Sequence, residues 1–219
     1  MRAAQTQLIP MQEMTPGMIA EVRNSVITST VALASKEIGL PPDALIVRDI
    51  LPNTDLTWKF STTSSATTGE SWERNMTAVA IGYQTVATGN MATQRFVAIF
   101  GLRDGRVTSG PTGASTLVSG LYSNATHAIG DYLILNTTSL VKFEVGGGAR
   151  AIWDSSSMLP YMDKVAFCPS AVVIPQNAAF TIYIYQIGTE GNNVTVAELA
   201  AFIQPIGVTV EPRGKLVTA

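Results

Sequence analysis

Apolar and polar positions alternate most clearly along residues 171–188, AVVIPQNAAFTIYIYQIG. The pattern predicts a strand, a Pro-Gln-Asn turn and a second strand. In the second strand Phe180, Ile182 and Ile184 point one way, and Thr181, Tyr183 and Tyr185 the other, because side chains alternate across a pleat. One face is aliphatic enough for a core. The other carries Tyr183 and Tyr185, a residue type suited to contact with a partner surface.

The same period of two recurs upstream. Strands are predicted over residues 44–51, over 56–62 with Trp58 and Phe60 on one face, over 76–85 and over 95–102. Asp104-Gly105 is a hairpin signal, with residues 106–108 returning. Residues 131–135 and 140–145 read as a second hairpin. Gly146-Gly147-Gly148 breaks the chain and residues 149–153 resume it; residues 206–210 read as the last strand. Residues 61–71 and 109–120 read as polar loops.

Helical signals stand near the two ends. Ile27, Val31, Ala34 and Ile38 share one helical face within residues 17–38, and Gly39 and Pro41 supply a stop. Thr195-Val-Ala-Glu198 is a capping box predicting a short helix over residues 196–203. Strands between turn-rich loops, with helix only at the ends, predict an all-β protein: an antiparallel two-sheet sandwich, or a barrel, with short terminal helices. The domain plan is an N-terminal arm at 1–16, one domain at 17–210 and a polar tail at 211–219. The arm lacks apolar periodicity and is expected to order only on assembly.

Composition narrows the function. Only 14% of residues are charged, against about 25% in ordinary soluble domains, so much of the exterior is expected to be Thr, Ser and Asn or covered by another subunit. Lys and Arg number 14 against 16 Asp and Glu, and no basic run occurs. Direct nucleic-acid binding is therefore not expected, since it rests on cations displacing phosphate counterions. After Arg2 no sustained apolar stretch suggests a signal peptide.

Catalytic chemistry finds little support. His127 is the one histidine, which excludes His-dependent triads and multi-His metal sites. Cys168, the one cysteine, reads as a small buried hydrophobe. The triple glycine lacks the spacing of a phosphate loop. No catalytic, cofactor or metal residue is assigned, and an enzyme is not expected. Trp72 borders a polar loop and is the better candidate for exposed contact, and Trp153 ends a strand before Asp154-Ser-Ser-Ser; core or subunit interface is the leading reading for these rings, with stacking on a sugar the alternative. With Tyr183 and Tyr185 they form the candidate contact set.

The order of elements in residues 140–187 carries a resemblance. LVKFEV runs into GGGAR and AIW, then a loop with Leu159-Pro160, then AFCPSAVVIPQNAAFTIYIY. This resembles the C-terminal half of jelly-roll capsid proteins of tailless icosahedral bacteriophages, some of which enclose an internal membrane. The resemblance implies a single jelly roll of eight strands that oligomerises into capsomers. It also implies partners among copies of itself and other capsid proteins, a lipid layer nearby in membrane-containing members, and a place in the virion after assembly in the host cytoplasm. The helical segment at 17–38 departs from a simple arm. The alternative is a lectin-like or receptor-binding spike module, which exposed Trp72 and Trp153 at one loop end would favour.

Overall fold

The computed structural model describes residues 5–50, 57–61, 71–75, 82–109, 115–119, 138–154, 165–186 and 199–214. Two sheets face each other, and one helix covers the outer face of the second. The first sheet holds, in spatial order, β1 (Gln5–Gln7), β10 (Gly148–Asp154), β9 (Thr138–Val145), β12 (Ala179–Gln186) and β6 (Gly82–Asn90). The second runs β2 (Ile9–Pro10), β11 (Val165–Ile174), β7 (Phe96–Ser109), β13 (Leu199–Pro212), β4 (Thr57–Ser61) and β5 (Ser71–Asn75). In it β3 (Leu45–Asp49) also pairs with β13, and β8 (Ser115–Ser119) with β7. The expectation of an antiparallel-rich, all-β sandwich holds.

Eight of these strands pair in a nested order. β3 pairs with β13, β6 with β12, β7 with β11 and β9 with β10, all antiparallel. The first strand of the eight thus meets the last, the second the seventh, and so inward to a central hairpin. That hairpin turns at Gly146 and Gly147, with φ of 63° and 77°. A two-residue turn with both φ positive matches the twist of the flanking strands, and glycine adopts it without penalty. The predicted break in the glycine run is therefore this turn.

The main core lies between the sheets. Val141, Phe143, Val145, Trp153, Phe180 and Ile182 from the first sheet meet Val97, Ile99, Ala166, Cys168, Val172 and Ile174 from the second. The alternation predicted for β12 is observed: Phe180 and Ile182 are buried, whereas Thr181 and Tyr183 lie on the other face.

Helix α1 (Pro16–Ile38) begins where the Thr15 hydroxyl accepts from the Met18 N–H at 3.3 Å and ends at Gly39 in the left-handed region. Both devices satisfy backbone groups that a helix end leaves open. Val26, Thr30 and Ala34 are buried against the second sheet, and the expected Ile27, Val31 and Ile38 flank that line. Packing on Phe100, Phe167, Phe96 and Val210 outweighs the low helix propensity of the β-branched run at 26–31.

Four expectations are corrected. Residues 199–203 are strand, not helix: they hydrogen-bond to β7 on one side, and β4 pairs along 200–203 on the other. Asp104-Gly105 does not turn. It lies within the 14-residue β7, held straight by Ile203 and Phe202 of β13, with Ser119 of β8 opposite Gly105. The first two residues of the expected tail belong to β13, and Glu211 is 4% exposed. The arm is extended but already docked in the single chain: β1 pairs with β10, β2 with β11, and Leu8 between them is 1% exposed. The predicted strand at 131–135 and the capping box at 195–198 lie outside the described residues.

β13 tolerates Pro205 and Gly207 for a local reason. Its pairing with β4 stops at Ile203 and that with β3 starts at Val208. Pro205 thus falls where no ladder bond is required of its missing N–H on that side. The pairing shifts between Ile206 and Gly207, where a Cβ would meet the Ala98 carbonyl oxygen.

Candidate interaction surface

With α1 over the second sheet, the open sheet face among the described residues is the outer face of the first. Lys142 and Glu144 of β9 stand there beside Thr181 and Tyr183 of β12, and Thr88 of β6 follows. Lys142 is directly opposite Tyr183, and Glu144 opposite Thr181.

These groups are bound to one another. Lys142 Nζ is 2.9 Å from Glu144 Oε1, and the Tyr183 hydroxyl donates to Glu144 Oε2 at 2.9 Å. The same ammonium sits 4.3 Å from the Tyr183 ring centroid, close enough for attraction to the ring face. Thr88 and Thr181 hydroxyls are 3.2 Å apart. Farther along, Gln5 Nε2 donates to Asp154 Oδ2 at 3.0 Å. Cross-strand pairs of this kind give a fixed relief whose charges are already neutralised. Such a face can meet a second protein surface without an opposite charge, in keeping with the scarcity of charge at interface centres.

The Lys142 hydrogen bond holds the Glu144 carboxyl below the usual glutamate range; partial burial opposes this and the Tyr183 hydroxyl adds to it. The bond to Glu144 pushes the Tyr183 phenol up. For a depressed carboxylate the stabilisation is present above the unfolded pKa and is lost as pH falls through the folded value. A carbon-13 NMR titration of Glu144 is expected to show a midpoint below ordinary glutamates, rising in Lys142→Gln. An unchanged midpoint in that variant would dismiss the lysine as the cause.

Of the four sequence-predicted contact residues, Tyr183 is on this face and half-buried. The side chains of Tyr185 and Trp72 lie outside the described residues. Trp153 is corrected: it has no exposed surface, because it opposes Val141 on the inward side of β10 and packs on Phe143 with centroids 4.6 Å apart. It is a core residue. Sequence reasoning missed Lys142 and Glu144; their alternation with Val141, Phe143 and Val145 was the available signal.

Cys168 is buried, as expected, and burial pushes its thiol up, away from the reactive thiolate. Among the described residues no three His, Cys, Asp or Glu side chains gather in a metal-binding group; His127 lies outside them. No helix among the described residues is long and apolar enough to cross a membrane. The chain matches no protein-family model, and no curated protein matches it.

Proposed function

We propose that this chain is a single jelly roll and serves as a structural virion protein, a capsid subunit that self-assembles into the capsomers of an icosahedral shell. The observation that carries the reading is the nested pairing of the eight strands, first with last and inward to a central hairpin. A jelly roll has this eight-stranded, doubly Greek-key form. Fold alone does not give function. The reading therefore also leans on the low charge, on the open and internally neutral face around Tyr183, and on the resemblance over residues 140–187.

The proposed partners are copies of the same chain and other shell proteins. The genome faces some other layer, a protein or a lipid surface, because the chain has no cation surplus. Arg23, Arg48, Arg95 and Lys142 are each engaged by a carboxylate. The sugar-binding alternative loses one of its two rings with the burial of Trp153.

The test is light scattering after size-exclusion chromatography, followed by electron microscopy of the largest species. Capsomer-sized oligomers or closed particles are expected. A Tyr183→Ala, Tyr185→Ala variant is expected to shift that distribution toward monomer, since truncating an interface anchor typically weakens binding by about 2 kcal/mol or more. A parent chain that stays monomeric at tens of micromolar, under every salt and pH condition tried, would sink the reading.

A further inference from the structure

The N-terminal strap occupies a groove that a second copy of the chain could fill equally well. Residues 5–7 add a parallel strand to β10, and residues 9–10 add an antiparallel one to β11. The strap therefore crosses from one sheet to the other at the edge of the sandwich. Between the two pairings the Leu8 N–H donates to the Asp154 carbonyl at 2.8 Å, and the Leu8 side chain enters the main core. It seals two free sheet edges at once, and an open sheet edge is a standing template for another strand.

Three features make the strap exchangeable. Residues 11–15, between Pro10 and Pro16, join it to α1, and residues 11–13 there form a single 3-10 turn. Unwound and extended, these five residues span about 17 Å, the reach open to the strap once it leaves its own body. Second, the strap holds its place through short pairings and two buried residues, Leu8 and Pro10. Third, the exposed large hydrophobic side chains among the described residues are Met11 at 36% and Met18 at 44%. Met11 lies in this connection and Met18 in the first turn of α1 just beyond it, where a neighbour brought close by exchange would cover them. The contacts made in the groove are the same whichever copy supplies the strap, so exchange loses nothing there, as in other swapped terminal elements.

We infer that residues 5–10 exchange between copies, the strap of one chain docking across β10 and β11 of the next. The inference uses the self-association proposed above and names the segment that links the copies.

Full-length chains with paired cysteines test it. Gln7 and Asp154 are register partners, and adjacent strands bring Cα atoms within the range a disulfide spans. Cys168 is buried and does not compete. One chain carrying Gln7→Cys is mixed with another carrying Asp154→Cys under assembly conditions and oxidised. Loss of monomer to a covalent dimer containing both chains is the expected result. The Gln7→Cys, Asp154→Cys double variant, oxidised as dilute monomer, should close within one chain and lose the ability to enter mixed dimers. If the double variant closes but the mixture gives no dimer, the strap stays on its own body and the inference is overturned. Failure of the double variant to close also overturns it, because the groove assignment is then wrong. Electron microscopy of the same mixture separates the two readings. Particles without cross-linked dimer leave the shell reading intact and remove exchange; cross-linked dimer without particles supports exchange and counts against the shell.

Discussion

Replacing Trp153 with alanine is expected to lower the unfolding free energy by about 3–5 kcal/mol, the range for truncating a large buried aromatic. Trp153 is fully buried, and its ring is tilted 59° against Phe143. It stands at the edge of the main core, where β10 is flanked by β9 and by the strap. Removing it leaves a void that β-sheet backbone on two sides cannot close. A domain of ordinary stability has about 5–15 kcal/mol in all, so the variant should unfold at a much lower denaturant midpoint. Trp153→Phe should retain most of the stability. Phe143→Ala should also be severe, and the double variant less than additive, because the two rings share one contact. A loss under about 1 kcal/mol for Trp153→Ala, below what core truncation gives, would mean the ring is not in the core.

Trp153 also illustrates what was legible in the chain and what was not. Its neighbours Asp154-Ser-Ser-Ser mark a strand end, which leaves core and subunit interface equally open for the ring. Its direction is set instead by register with Val141, a partner distant in sequence. Where a signal is local and its period long, it read correctly: the two-faced β12, the stop of α1 at Gly39, the turn in the glycine run. Where a local signal competed with pairing to distant strands, the pairing won. Asp104-Gly105 favours a turn, and a helix was expected over residues 199–203, but neither preference is worth more than a kcal/mol or so. Ladders on both sides of β7 and β13 supply many hydrogen bonds in place of that preference. Leu8 was illegible for another reason. The short apolar step Leu8-Ile9 has no period, and only the gap between two sheets gives Leu8 its place.

The candidate surface was half legible. The tyrosine face of β12 was visible as alternation within one strand. The Lys142–Glu144–Tyr183 cluster depends on β9 lying beside β12, although the two are some 40 residues apart, and no motif announces that pairing. The absence of a basic arm was legible from composition. The ion pairs that engage Arg23, Arg48, Arg95 and Lys142 were not, and the most consequential carboxylate among them, Glu211, stands where a solvated tail was expected.

Replacing Glu211 with alanine is expected to cost about 3 kcal/mol, near the lower end for breaking a buried ion pair. The Glu211 side chain is 5% exposed and each of its oxygens has its own partner. Arg48 Nε is 3.1 Å from Oε1, and Arg95 Nε is 3.2 Å from Oε2. Through these bonds one carboxylate ties β3 and the start of β7 to the end of β13. Taking it away removes the carboxylate that two guanidinium groups, 23% and 32% exposed, share. Their partial contact with water is the reason for choosing the lower figure. Arg23 and Asp49 provide the contrast within the same molecule. That pair is shorter, at 2.9 Å, but its side chains are 42% and 65% exposed, and Arg23→Ala is expected to change stability by less than about 1 kcal/mol. Denaturant unfolding of both variants decides between burial and distance as the controlling variable. If distance controlled, Arg23→Ala would be at least as damaging as Glu211→Ala. Replacing Glu211, Arg48 and Arg95 together by leucine should recover much of the loss, because the desolvated charges disappear along with the bonds. A triple variant as unstable as Glu211→Ala alone would show that the bonds themselves, rather than the stranded charges, carry the effect.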